Sequence, residues 1–173
     1  ILDLRGNSGG LIDILPYLLG PFIGLNQYAY DFLHQGKSIP FITLKGWMDS
    51  LVKYKKVLIL IDKKTQSTAE LMAAVLLKYN VGILIGEKTC GWGTVEKIFP
   101  IKNQLDSKNK YSVFLVHSLT ISQSGKPIEG IGVYPQIDIT NNNWYMELEK
   151  YVQSREEIKI IGKLFNKNID FFN

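Results

Sequence analysis

The residues best placed to do chemistry lie in Thr65-Gln66-Ser67-Thr68-Ala69-Glu70. A serine at a turn from a strand into a helix can expose its hydroxyl beside the free N–H groups and partial positive charge of the helix N-terminus. The N–H of Thr68 would then face an oxyanion formed by attack of Ser67. The same letters spell an ordinary capping box, with Ser67 as cap and Glu70 returning the hydrogen bond, and the local pattern by itself favours that reading. A second candidate is Gly6-Asn7-Ser8-Gly9-Gly10. Its glycines would let the backbone approach a ligand closely and present N–H groups to an anion. It is neither a dinucleotide fingerprint nor a P-loop, and without further context a plain tight turn is the favoured reading. Proton acceptors are scarce. His34 and His117 are the two histidines. His34 sits in the polar stretch His34-Gln35-Gly36-Lys37, and His117 in the alternating run Val116-His117-Ser118-Leu119, where a histidine is usually structural. Two isolated histidines and the single Cys90 make no metal-ligand spacing, and no cofactor is expected.

The elements that must position these groups follow from periodicity. Ile1-Leu2-Asp3-Leu4 reads as the end of a buried strand. Leu11 to Leu19 has helical spacing with Leu11, Ile14, Leu15 and Leu18 on one face, and Pro16 limits or kinks it. Short strands are expected around Tyr28–Phe32 and Ile39–Leu44. Val57 to Asp62 is a continuous run of β-branched residues and leucine, which suits a strand buried on both faces. A helix over Ser67 to Tyr79 and a second buried strand over Val81 to Gly86 complete a βαβ crossover, hence a parallel pair. Thr94–Ile101 and Tyr111–Ser122 alternate as a hairpin around the polar loop Asn103–Lys110. Ile128 to Ile139 reads as extended, broken by Gly130, Gly132 and Pro135. From Trp144 to about Phe165 a charged amphipathic helix or helix pair is expected, with Gly162 as the break.

The 173 residues, 46% apolar, suit a globular domain with a real core and exclude a disordered chain. One cysteine excludes a disulfide scaffold. The apolar runs fall far short of the ~20 residues of a membrane helix. Net charge is +4, but only Arg5 and Arg155 are arginines and the lysines are scattered among acids and asparagines. Lysine is poor at bidentate phosphate or base readout, so this is a solvated surface and no nucleic-acid partner is expected.

Four blocks together resemble one family. Ile1-Leu2-Asp3-Leu4-Arg5-Gly6-Asn7-Ser8-Gly9-Gly10 resembles the LDLRGNPGG signature of the C-terminal processing (tail-specific) proteases. Thr65 to Glu70 resembles their nucleophile segment. Ile85-Gly86-Glu87-Lys88-Thr89-Cys90-Gly91-Trp92-Gly93-Thr94-Val95 resembles IGEKTFGKGSV. Ser124-Gly125-Lys126-Pro127-Ile128-Glu129-Gly130-Ile131-Gly132-Val133-Tyr134-Pro135 resembles PSGRSIEGKGVxPDI. The blocks occur in the family's order over residues 1–140, and the first and last are highly specific. The resemblance implies an α/β fold, a crotonase-like spiral of ββα units, with 1–140 as the C-terminal portion of a peptidase catalytic domain and 141–173 as a helical tail. It implies Ser67 as nucleophile of a serine-type endopeptidase, with the N–H of Thr68 and of Gly9 or Gly10 as oxyanion hole. Gly91 and Trp92 would wall the substrate groove, and the partner would be a protein or peptide. Relatives often work at the cell envelope or outside the cytoplasm. Oligomeric state is not legible.

One position departs from the pattern. The family's general base is the lysine of the FGKG element, and Trp92 stands there; indole has no acceptor for a proton. Three readings stay open. The base is a histidine upstream of Ile1, as in tricorn-like relatives, with Glu129 at the position of their glutamate. Or another lysine, Lys88 or Lys97, reaches in, although strand alternation argues against it. Or the chain binds an apolar ligand or a peptide without catalysis, which the aromatic stretch of Phe22, Tyr28, Tyr30 and Phe32 would suit. Family members carry a PDZ-like segment and helices before the first block, so the chain from Ile1 is expected to be the back part of a longer catalytic domain.

Overall fold

The computed structural model describes residues 1–173 apart from 55, 123–124, 168 and 170–173. Ser124 of the fourth block therefore lies outside the described residues. In chain order the elements are β1 (Leu2–Asp3), α1 (Leu15–Ile23), β2 (Tyr28–His34), β3 (Lys37–Ile42), α2 (Asp49–Val52), β4 (Val57–Ile61), α3 (Thr68–Lys78), β5 (Gly82–Gly86), β6 (Thr94–Pro100), β7 (Ser112–Ile121), β8 (Ile137–Asp138), α4 (Trp144–Glu149) and α5 (Arg155–Leu164). They build two sheets. One is parallel, in the order β1-β4-β5-β8; the other is antiparallel, in the order β3-β2-β7-β6.

The parallel sheet explains the continuous apolar runs. Side chains alternate across a strand, so a strand covered on both faces needs apolar residues at every position. Ile59 and Ile61 of β4 and Leu84 of β5 join a core with Leu15, Leu19, Tyr30, Leu71 and Leu76 from α1, β2 and α3. Leu60, Ile83 and Ile85 face the other way and join Ile137, Trp144, Leu148, Ile158 and Ile161. The expected parallel pair is present, in register from Val57↔Gly82 to Ile61↔Gly86. So is the expected hairpin of β6 and β7. The C-terminal helices form the layer that covers the second face of the sheet.

Three local expectations are corrected. The segment after the glycines is a 3-10 turn (Ile12–Ile14) leading into α1, and Pro16 lies in the first turn of α1. Its missing N–H has no helical partner there, so it starts the helix rather than limiting it. The buried face is Leu15, Leu19 and Ile23, while Leu11, Ile14 and Leu18 are exposed. Within 128–139 only Ile137–Asp138 is strand; the Ile131 and Gly132 N–H groups both turn back to the Ile128 carbonyl. The tail breaks between α4 and α5, where the Ser154 hydroxyl caps α5 by accepting the Glu157 N–H at 3.3 Å. Gly162 sits inside α5 because the following chain presses on it: a Cβ there would lie 2.9 Å from the Lys167 carbonyl oxygen and 2.7 Å from Ile169 Cδ1.

Candidate active site

In a parallel sheet the loops after neighbouring strands emerge at the same edge, where ligands of such sheets commonly bind. Here β1, β4 and β5 are neighbours, so the turn 4–10, the turn 62–67 and the segment 87–93 converge. Polar side chains strap them together. The buried Thr65 hydroxyl donates to the Leu4 carbonyl at 2.9 Å and accepts the Asp62 N–H at 3.0 Å. Asp62 Oδ1 accepts the Gly6 N–H at 2.9 Å. The Gln66 N–H reaches the Asn7 carbonyl at 2.9 Å, and the Cys90 N–H reaches the Thr65 carbonyl at 3.1 Å.

Ser67 is the cap of α3 and is held at φ 53° and ψ −124°. That is a strained region for a residue with a Cβ, at a cost of about 1–3 kcal/mol, and such strain clusters at functional turns. Ser67 and Glu70 form the expected capping box: the Glu70 carboxylate accepts the Ser67 N–H at 2.9 Å and the Ser67 side chain turns back to the Glu70 N–H. The Ser67 hydroxyl approaches the Glu70 N–H without forming a regular cap hydrogen bond. Glu70 does more than cap. It is fully buried, and it also accepts the Thr89 hydroxyl, the Gly91 N–H at 2.7 Å and the Trp92 N–H at 2.8 Å. One carboxylate therefore binds the serine turn to the loop after β5, with donors replacing the water it has lost. The capping-box spacing marks Glu70 in the sequence, but its long-range partners depend on the fold.

The glycine turn packs directly on Ser67. A Cβ on Gly9, at φ +87°, would lie 2.8 Å from Ser67 Cβ, 2.9 Å from the Gln66 carbonyl oxygen and 3.0 Å from the Thr68 nitrogen. No side chain fits that gap. The Thr68 hydroxyl donates to the Gly10 carbonyl at 2.9 Å, tying the second glycine to the start of α3. The Gly9 N–H is already given to Asn7 Oδ1 at 2.9 Å. Of the two expected glycine donors, Gly9 is therefore engaged within its own turn.

Ser67, Thr68 and Gly10 line a cavity of 390 Å³, together with Asp13 and Phe32, residues 94–97 of β6, and His117 and Ser118 of β7. Beside it, the exposed Leu11, Ile14 and Leu18 join Met72 around a 190 Å³ apolar hollow that includes Gly9, Gly10 and Thr68. A larger cavity of 560 Å³ lies on the other side of α3, and Ser67 is not part of its wall.

Other expected site residues fall outside the Ser67 cavity. Gly91 is buried, its Cα against the backbone of 130–132. Trp92 is half-exposed and donates its indole N–H to Glu96 at 3.2 Å. Glu129 is exposed and accepts the Gly93 N–H at 2.7 Å, so it holds the loop backbone. Lys88 lies over the Tyr134 ring at 5.0 Å. Lys97, which strand alternation argued against, and His117, whose place in an alternating strand suggested a structural role, both line the cavity. Among the described residues no cluster of three or more His, Cys, Asp or Glu could hold a metal ion, and no helix is long and apolar enough to cross a membrane.

The chain is 31% identical over 178 residues to the carboxy-terminal processing protease CtpA of Bacillus subtilis, covering 95% of this chain and 35% of that protein. It is 28% identical over 137 residues to the carboxy-terminal-processing protease of Bartonella bacilliformis, covering 79% and 30%. It thus spans about a third of the length of these curated relatives. Among solved structures, the photosystem II D1 C-terminal processing protease matches with a TM-score of 0.66 at 20% identity, over 80% of this chain and 33% of that one. Mature CPAF complexed with lactacystin matches with a TM-score of 0.60 at 18% identity, over 95% and 44%. At these identities the two structures speak for a shared mixed α/β fold. The family model for peptidase family S41 matches residues 1–139, nearly the whole of the sheet and loop framework that carries Ser67, and the chain belongs to that family.

Proposed function

We propose that this chain supplies the nucleophile and oxyanion hole of a serine-type endopeptidase acting on protein tails or unstructured peptides. The observation that carries the reading is Ser67 at the strained start of α3, packed against Gly9 with no room for a side chain between them. A substrate carbonyl oxygen between the N–H groups of Thr68 and Gly10 would present its carbon to Ser67 Oγ. Attack forms the Oγ–C bond and an oxyanion; collapse expels the amine and leaves an acyl-enzyme, which water hydrolyses. Such donors each contribute ~10²–10³ in turnover because they face charge that develops only in the transition state.

The cavity supports an extended substrate. Among the described residues β6 is an edge strand of its sheet, and residues 94–97 line the cavity. A peptide adding along that edge would satisfy its backbone groups there. The neighbouring hollow of Leu11, Ile14, Leu18 and Met72 would take an apolar side chain. The stacked ββα arrangement of the crotonase-like spiral, and the division into a catalytic portion over 1–140 and a helical tail over 141–173, belong to the same proposal. The test is hydrolysis of casein or unstructured peptides by the full-length protein. Wild type should cleave and Ser67→Ala should lose activity by at least about 10³-fold. Equal cleavage by both would sink the assignment.

A further inference from the structure

We infer that His117 is the general base for Ser67, delivered to the cavity by a β-bulge in β7. This rests on the reading of Ser67 as nucleophile.

The register shows how a residue of an alternating strand arrives there. On β6 and β7, Val95 pairs with Ser118 but Glu96 pairs with Val116. One step on β6 spans two on β7, and His117 is the extra residue. A bulge breaks the strict alternation of side chains and re-aims one of them. Both His117 and its neighbour Ser118 consequently line the same cavity as Ser67, Thr68 and Gly10. The bulge is held from the β2 side by His34, whose Nδ1–H donates to the His117 carbonyl at 2.5 Å.

The surroundings equip the ring to accept a proton. Its Nδ1 lies 2.8 Å from the hydroxyl of the buried Ser118. If Nδ1–H donates to that oxygen, the lone pair is left on Nε2, the nitrogen free to serve as base. The His34 ring stacks on the other side, with centroids 3.9 Å apart and planes within 1°. Burial of the imidazole, followed by the charges of His34 and Lys97, holds His117 below the ordinary histidine range. It is thereby kept neutral and accepting near neutral pH. Lys97 shares the cavity, but its ammonium lies 6.0 Å from the Phe99 ring centre and, while protonated, has no lone pair to offer. Asp13 and Glu96 are the carboxylates in the cavity wall, and Glu96 Oε1 is held by the Trp92 indole N–H and the Thr94 hydroxyl.

The proton balance is simple. Nε2 takes the Ser67 hydroxyl proton as the Oγ–C bond forms and the carbonyl electron pair moves to oxygen. The imidazolium then gives that proton to the leaving amine as the C–N bond breaks. In deacylation Nε2 takes a proton from water and returns it to Ser67 Oγ.

The experiment measures the rate of labelling by a fluorophosphonate, against pH, in the full-length protein. His117→Asn keeps a polar group beside Ser118 but has no Nε2. It should label ~10²–10⁴-fold more slowly. His117→Gly with added imidazole should recover part of the rate. In wild type the rate should rise with pH along an acid limb centred below about 6.5. Lys97→Gln, which removes a repelling cation, should move that limb to higher pH without abolishing labelling. Unchanged rate and limb in His117→Asn overturn the inference, as does a hundredfold loss in Lys97→Gln with His117→Asn unaffected. Ser67→Ala in the same series keeps the two claims apart: labelling that persists there refutes the nucleophile itself, whatever His117 does.

Discussion

Replacing Gly9 with alanine tests the site at its tightest contact. The added Cβ would stand 2.8 Å from Ser67 Cβ, about 0.6 Å short of an ordinary contact, and would press on the Gln66 carbonyl oxygen and the Thr68 nitrogen as well. Backbone, not a flexible side-chain end, supplies two of those three atoms, so the glycine turn and the serine turn must part. A displacement near 1 Å at reacting groups costs roughly 10²-fold in rate. A shift of about 0.6 Å should therefore slow acylation by roughly 10–10²-fold, or ~1.4–2.7 kcal/mol of transition-state stabilisation. The left-handed φ adds about 1–2 kcal/mol of lost stability. Gly6→Ala is the internal control. Gly6 has φ +66° but open space where its Cβ would point. It should lose similar stability and keep its acylation rate. The assay is fluorophosphonate labelling kinetics beside a denaturant melt, in the full-length protein. If Gly9→Ala labels at the wild-type rate, or if both variants slow equally, the packing of Gly9 on Ser67 does not set the geometry.

Glu70→Gln leaves one amide nitrogen facing backbone N–H groups that the carboxylate now accepts; at about 1–3 kcal/mol per orphaned donor it should destabilise by about 2–4 kcal/mol in a urea melt and slow labelling, and a loss under 0.5 kcal/mol would show that Glu70 is replaceable. The Asp3 carboxyl is held below its usual value by its hydrogen bonds and ion pair with Arg5. That stabilisation is present above the unfolded value near 3.8 and is lost as pH falls through the lowered folded value. Asp3 is half-exposed and solvent screens it, so Asp3→Asn should lose only about 0.5 kcal/mol at pH 7 and progressively less as pH falls below 3.8, read from melts along that pH series. Ile161→Ala opens the core between α5 and the parallel sheet and should cost about 2–4 kcal/mol in the same melts; a loss below 1 kcal/mol would mean that the C-terminal helices do not share the sheet's stability.

Much of the framework was legible because local and tertiary demands agree. The unbroken run Val57–Ile61 announces a strand with two covered faces, and the polar turn after it announces the start of α3. Ser154 caps α5 three residues before Glu157, a signal that the expected break at Gly162 passed over; Gly162 misleads because its smallness serves a contact with 167 and 169 that no local pattern reveals. Leu11, Ile14 and Leu18 have core periodicity yet line a hollow beside the glycine turn, and apolar spacing cannot tell a core face from a binding face. The bulge at His117 is a property of the pairing between β6 and β7, so counting alternate residues along one strand places that histidine by rule and the register shift then moves it. The web around Glu70 is hidden for the same reason: its partners lie 19 to 22 residues away, on a loop that only the sheet brings close.

The central claim is that Ser67 is the group that becomes acylated. The most direct measurement treats the full-length protein with a fluorophosphonate, digests it and locates the adduct by mass spectrometry. A single adduct on Ser67, absent from Ser67→Ala, is the predicted result. An adduct on any other residue, or cleavage of peptide by Ser67→Ala at the wild-type rate, would contradict it.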